Sequence, residues 1–358
     1  MRRVTRNVLR ILAALLVLAI AMAVVTPIGR YLVRAGFEEA QILWNRRDIA
    51  ELVADTAVAK PLRERLRLVV EARQFAVDSI GLTARESFTT YSALARDTLV
   101  LVLSASRRDT LAAHTWWFPV VGRFPYKGFF DFGEARRVAR RMGEEGFDTY
   151  LRPARAFSTL GWFNDPLLST TVRQPAEPLV NTVIHELLHN TLFVRGHVTF
   201  NESFASFVGA YGAMRFFRSR GDTAGERRAR EDWEDDKALG AFWSATARAV
   251  DSVLAIPGRD SVARIAARDT VYARMRERLV RDIGPRLRSV DTSRLPQIQL
   301  DNAALIARRT YASDLYLFDE VFRRSARDLR RTIATIRILT RPAGDPWEQL
   351  RAWVRQGT

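Results

Sequence analysis

Cysteine is absent from all 358 residues, which excludes disulfides, thiolate metal ligands and cysteine nucleophiles, and leaves the redox compartment open. Lysine occurs only at Lys60, Lys127 and Lys237, so the 56 basic residues are almost all arginine, and histidine is confined to four positions. There is no glycine-rich phosphate loop, repeat period or low-complexity tract, and no serine sits in a nucleophile-elbow pattern. The formal charge of +16 invites a nucleic-acid reading, yet 40 acidic residues are interspersed with the basic ones along helical patterns. No zinc finger, RNA-binding signature or aromatic-basic platform accompanies the charge. A solvated, arginine-rich surface with no nucleic-acid partner is therefore expected, with at most a weak attraction to anionic lipid.

Two of the four histidines stand around an acid at a spacing that carries chemistry. In His185-Glu186-Leu187-Leu188-His189 a helix puts both imidazoles one turn apart on one face, so both reach a single metal ion. Glu186 falls beside them, the arrangement by which zinc hydrolases make a nucleophile at neutral pH. Apolar flanks at Val183, Ile184, Leu187 and Leu188 suit the buried helix that such a site requires. Zn2+ is thus the expected cofactor.

A third ligand is expected from Glu202, with His197, in a turn beside Gly196, as the alternative. Leu192 and Arg195 occupy the places where the metzincin pattern has Gly and His, which excludes that class. Glu202 begins a second helical pattern (Phe204, Phe207, Val208, Tyr211), and Asn201-Glu202 followed by Ala205 has the form that gluzincins use. The oxyanion of a tetrahedral intermediate needs a donor, for which Tyr126, Tyr150 and Tyr311 are candidates and Tyr126 is the working assignment. Asp165 is the candidate to orient a histidine ligand, because Ser206 stands where gluzincins often have an acid.

Arg2, Arg3, Arg6 and Arg10 precede an apolar run over residues 11–25, the order of a signal peptide or signal anchor. An uncleaved anchor is favoured over cleavage near Ala19, Ala21 and Ala23, because the apolar pattern continues through Tyr31, Leu32 and Val33. The expected chain is membrane-anchored through residues 1–28 and faces the periplasm or cell exterior.

The rest, 29–358, reads as one predominantly helical α+β peptidase domain. Its parts are a helical stretch over 29–96, an α/β layer over 97–175, the metal-binding helices over 176–220 and a helical remainder over 221–358. Leu62, Leu66, Val69, Ala72 and Ala76 recur at helical spacing behind Pro61. Strands are expected at 98–104, 117–121, 126–130 and 147–151, with a helix at 134–145 ended by Gly146. Residues 125–130 are the candidate edge strand for pairing an extended peptide substrate. Helical patterns then run over 229–254, 260–283 and 302–339.

Several segments together resemble a family of bacterial zinc aminopeptidases, usually exported and often attached to membranes as lipoproteins. They are Trp117-Phe118-Pro119-Val120-Val121-Gly122, Tyr126-Lys127-Gly128-Phe129-Phe130, residues 156–170 with Gly161-Trp162-Phe163-Asn164-Asp165-Pro166 at their centre, the His185–His189 motif, and Phe200-Asn201-Glu202-Ser203-Phe204-Ala205. Weaker similarity includes Gln41-Ile42-Leu43-Trp44, Arg73-Gln74-Phe75-Ala76 and Asn302-Ala303. The resemblance implies His185, His189 and Glu202 as zinc ligands, Glu186 as acid/base, a gluzincin-like fold, a peptide substrate and aminopeptidase activity. Two features depart from the family: its lipid-attachment cysteine is missing, and Phe157 stands where a tyrosine is usual. A zinc endopeptidase, or a membrane-attached scaffold that keeps zinc for structure, are the alternatives; an intact Glu186 argues against the scaffold. Oligomeric state is not fixed by the sequence.

Overall fold

A computed structural model describes residues 7, 10, 14, 25–94, 96–98, 100–118, 122–154 and 166–356. Most of the expected N-terminal anchor lies outside the described residues; among those that are described, no helix is long and apolar enough to cross a membrane. Helix α1 (Pro27–Trp44) is capped by the Thr26 hydroxyl, which accepts the Gly29 N–H at 3.0 Å. A short strand β1 (Arg47–Asp48) and helix α2 (Ile49–Ala54) lead to α3 (Lys60–Phe75). Pro61 sits in the first turn of α3, where its missing N–H costs nothing, and Leu66, Val69 and Ala72 are buried at the anticipated spacing. A π-helical turn, Ala76–Ile80, closes α3 and stops at Gly81, whose φ of 81° suits glycine.

The strands form three small sheets. Strand β2 (Thr90–Ser92) lies between β1 and β8 (Leu167–Leu168), while β4 (Trp116–Phe118) and β5 (Gly122–Phe124) form a hairpin. The third sheet has the order β6 (Lys127–Phe129), β3 (Leu101–Arg107), β7 (Phe147–Pro153), all antiparallel. The register runs from Leu101 opposite Pro153 to Arg107 opposite Phe147. Helix α4 (Phe132–Glu144), capped by Asp131, packs Ala135, Ala139 and Met142 on one face of this sheet with Leu103, Ala105 and Phe129.

Strand β3 starts and ends three residues later than the apolar run 98–104 suggests. The strand continues into Ser104 and Ser106, which are buried although polar. The Ser106 hydroxyl is satisfied by the carbonyls of Ala112 at 2.8 Å and Thr110 at 3.0 Å, so a polar residue at the core costs little here.

After a single turn of helix, α5 (Ser169–Val172), come the two central helices α6 (Ala176–Thr191) and α7 (Val198–Ser219), then the long α8 (Thr223–Leu254) and α9 (Ser261–Arg278). Leu179, Val180, Val183, Ile184, Leu187 and Leu188 of α6 meet Phe200, Phe204, Phe207 and Val208 of α7 in the principal core. The stretch 302–339 departs from the continuous helical pattern expected of it. It is three helices, α10 (Asn302–Arg309), α11 (Leu315–Arg324) and α12 (Leu329–Leu339), followed by α13 (Pro346–Arg355). The breaks fall at Asp314 (φ 45°) and at Ala326 and Arg327 (φ 56°), non-glycine residues in left-handed backbone that no Gly or Pro announces.

Candidate metal centre

Helix α6 turns its apolar stripe to the core, which leaves His185, Glu186 and His189 on the remaining face. Its C-terminal end is held firmly. Thr191 Oγ1 accepts the Thr83 N–H at 2.9 Å, the Asn190 amide donates to Ser87 at 2.9 Å, and the Arg337 guanidinium donates to the Thr191 carbonyl at 3.0 Å. The Nε2 atoms of His185 and His189 consequently stand 3.3 Å apart, the rings edge to face.

Glu202 enters from α7. Next to it, the Asn201 side chain accepts the Val194 N–H and donates to the Val194 carbonyl, both at 2.8 Å. That two-point clamp folds the connection between the helices and fixes the start of α7. Two glycines then let the helices touch: a Cβ on Gly209 would press on Asn181, 2.9 Å from its carbonyl, and one on Gly212 would lie 2.8 Å from Ile184 Cγ2. Glu202 reaches His185 Nε2 at 3.3 Å and His189 Nε2 at 3.7 Å.

These three donors are the residues that could hold a metal. Their ligand atoms lie within 4.8 Å of one another. Donors bound at about 2.0–2.1 Å to a tetrahedral zinc stand about 3.3–3.4 Å apart, so the observed separations fit such an ion with little adjustment. Two imidazoles and one carboxylate, the donors found among the described residues, match the donor set of three-ligand catalytic zinc sites.

The electrostatics keep these groups in metal-binding form. Burial, then the neighbouring His185, pushes the His189 pKa down to about 4, against the opposing charge of Glu202, so the imidazole is neutral at physiological pH. Burial alone would raise the Glu202 pKa. The hydrogen bond with His185 and the charges of His185, His189 and Arg152 outweigh it and hold the carboxyl below its ordinary value. His189 Nδ1 is buried with no hydrogen-bond partner among the described residues. Asp165, the expected partner for a ligand histidine, lies outside them.

Around the triad stand residues from three other elements. Tyr311 sits in the turn between α10 and α11 with its ring 6.5 Å from that of His185. The Arg152 guanidinium, from the end of β7, lies 5.6 Å from the Tyr311 ring centre and hydrogen-bonds its phenol. Burial raises the Tyr311 pKa, followed by the charge of Glu202; Arg152 opposes this, and Glu186 adds a smaller upward push. Tyr126, just before β6, has its pKa pushed up to about 12 by burial, then by Tyr311 and Glu202. Both phenols are therefore protonated donors at neutral pH.

The structure gathers His185, His189 and Glu202, with Glu186, Tyr126 and Tyr311 alongside. Tyr150 instead packs its ring 5.3 Å from Arg308. His197 is the residue that caps α7 and is not part of the triad; Ser206 donates its hydroxyl to the Glu202 carbonyl. Strand β6 does lie at a sheet edge, as expected of 125–130, with Arg96 donating to the Phe130 carbonyl and Lys127 over the Tyr31 ring. Sequence reading missed Arg152, since one arginine among so many carries no local signal.

Compared with known proteins, residues 30–346 match a family model described as "Putative aminopeptidase". No curated protein and no solved structure matches the chain.

Proposed function

The chain belongs to the putative aminopeptidase family, and from that premise we propose that it is an exported, zinc-dependent aminopeptidase that hydrolyses N-terminal peptide bonds. The observation that carries this reading is the convergence of His185, His189 and Glu202 at tetrahedral donor spacing, with Glu186 on the same helix face.

His185 and His189 through Nε2, and Glu202 through its carboxylate, would hold the ion in a gluzincin-type site. Bound zinc supplies Lewis acidity, which polarises a scissile carbonyl and brings the pKa of a water towards neutrality. Glu186 takes the proton of the attacking water and returns it to the leaving amine. Tyr126, with Tyr311 as the second candidate, donates a phenolic O–H to the carbonyl oxygen as negative charge builds there. The outer edge of β6, unpaired among the described residues, pairs with the extended substrate and aligns the scissile bond. The basic N-terminus and the apolar run over 11–25 support attachment of residues 1–28 to a membrane, with the enzyme on its outer side.

Glu186→Gln beside wild type on aminoacyl chromogenic substrates is the decisive experiment. The variant should keep its zinc and lose activity by about 10²–10⁴-fold, the usual contribution of a general base. Wild type that releases nothing, or a variant as active as wild type, overturns the reading.

A further inference from the structure

We propose that Arg152, with Arg308 behind it, forms a subsite beside the metal triad that takes a carboxylate of the peptide substrate. The proposal deepens the peptidase reading and rests on it.

Several guanidinium groups of this chain have close acidic partners: Arg268 pairs with Asp148 at 2.6 Å, Arg324 with Glu320 at 2.6 Å, Arg351 with Asp314 at 2.5 Å. Arg152 and Arg308 form no salt bridge among the described residues, although both are partly buried. Arg152 faces the Tyr311 ring at 5.6 Å and bonds its phenol, and its charge also acts on Glu202. Arg308 is held between the rings of Tyr150 at 5.3 Å and Trp243 at 5.1 Å, and its Nε is buried without a hydrogen-bond partner. Burial disfavours the Arg308 cation against the opposing influence of Tyr150 and Asp301, and the charge of Arg152 adds a smaller push in the same direction as burial. Two partly buried cations without a salt bridge among the described residues, their charges met only at longer range by Glu202 and Asp301, leave directed donors that a bound carboxylate can take up.

The position defines the anion. Arg152 reaches the triad through one ring, Tyr311, which is itself 6.5 Å from His185. An extended peptide advances about 3.3–3.6 Å per residue, so the bound group belongs to a residue within about three of the scissile bond. A peptide offers carboxylate there from an Asp or Glu side chain or from the C-terminus of a short substrate. Planar, forked guanidinium is the group that recognises carboxylate by two parallel hydrogen bonds.

The test compares zinc-loaded enzyme on matched peptides: Glu-Ala-amide with Gln-Ala-amide, Leu-Glu-amide with Leu-Gln-amide, and Leu-Ala with Leu-Ala-amide. The first two pairs probe side-chain carboxylates, the third the C-terminus. At least one carboxylate member should be favoured by about tenfold or more, chiefly through KM, as expected for a charge-assisted pair. Arg152→Gln should bring that ratio to near one, and Arg152→Lys should restore part of it. Equal use of both members of every pair by wild type, or an equal loss on both members in Arg152→Gln, overturns the subsite. Calorimetric titration of zinc-loaded Glu186→Gln with the same peptides separates the two ideas. If wild type cleaves none of them the peptidase reading fails, while a binding preference for the carboxylate member that disappears on adding Arg152→Gln still supports the subsite, and its absence refutes it.

Discussion

Ser203 accepts the backbone N–H of Ser313 on its Oγ at 3.1 Å, and through that contact the helix that bears Glu202 is tied to the turn that bears Tyr311. The same hydroxyl approaches the Thr310 carbonyl at 3.5 Å. On the far side Gly240 of α8 lets the Ala312 carbonyl approach so closely that a Cβ there would stand 2.6 Å from it. The turn is thus gripped between two helices, which ties the position of Tyr311 to the helix that carries Glu202.

Replacing Ser203 by Ala should loosen that tie. It leaves the buried Ser313 N–H without its acceptor, which costs about 1–3 kcal/mol, and frees Tyr311 to drift from His185. Urea unfolding should show the loss of stability, zinc content should stay stoichiometric, and kcat should fall more than KM rises. Unchanged stability and kcat together would show that the contact is dispensable.

Gly209→Ala should damage the metal site from a distance. The added methyl has to displace Asn181, whose side-chain oxygen and carbonyl both lie in its way. Overpacking of this kind costs about 1–3 kcal/mol, and the cheapest relief is to spread α6 from α7, which lengthens the Glu202 contacts. Zinc affinity measured by competition with a chromogenic chelator should drop along with thermal stability; wild-type affinity in the variant would mean that the helices absorb the methyl without moving Glu202.

What was legible in the sequence is what depends on local spacing. His185, Glu186 and His189 are set by the helical repeat, and Glu202 by the start of the next helix, so each could be named before the fold was known. Leu62 to Ala76 declared a helix for the same reason. Tyr311 could be named only as one of three candidate donors, and Arg152 not at all, because what selects them is the meeting of β7 and the α10–α11 turn at the triad, a contact between residues far apart in the chain. The breaks within 302–339 were invisible because apolar residues keep helical spacing across them, while Asp314, Ala326 and Arg327 take left-handed backbone under tertiary constraint. Ser106 hid the end of β3 in the same way, since a buried serine looks like a turn until its acceptors are placed.

Removal of the metal, or of one ligand, should be read first in stability. Wild type should carry one zinc per chain, and chelation should lower the melting temperature, since a ligand at about a thousand times its Kd adds about 4 kcal/mol to the folded state. Glu202→Gln loses the anionic donor and should bind zinc weakly; His189→Ala loses a donor outright and should bind none at stoichiometric concentration. Full zinc in either purified variant would remove that residue from the ligand set.

Two phenols set an alkaline limit. The half-buried Tyr126 has its pKa raised from the ordinary 10.0 to about 12, chiefly by burial, and that of the buried Tyr272 is also raised, again chiefly by burial. The folded state therefore holds protons that the unfolded chain releases, so the associated stability is fully present below pH 10 and is lost as pH rises from there towards 12. Tyrosinate absorbance should rise late and together with the loss of far-ultraviolet ellipticity, and Tyr126→Phe should shift that transition to higher pH. Free titration of all eight tyrosines near 10, with the fold intact, would contradict the burial of these phenols.

Asp148 is the anchor that holds β7 to α10. Its carboxylate takes the buried Arg268 at 2.6 Å and the Asn302 N–H at 3.1 Å, while the Asn302 amide donates to the Arg107 carbonyl at 2.8 Å and its oxygen accepts the Tyr272 hydroxyl at 2.7 Å. Burial raises the Asp148 pKa even against the Arg268 charge, which shows how dry the pair is. Asp148→Ala removes the buried partner of Arg268, which keeps the exposed Asp269 at 2.8 Å and the Arg108 carbonyl at 2.9 Å, and leaves the Asn302 N–H without its acceptor. The loss should be about 1–3 kcal/mol or more, with activity falling further because Arg152 and Tyr311 hang from the elements it joins. Asp148→Ala combined with Arg268→Met removes the half-paired charge and should regain part of that stability, although the Asn302 N–H stays without its acceptor. A double variant no more stable than the single one would mean that the damage comes from the lost Asn302 contact rather than from the arginine.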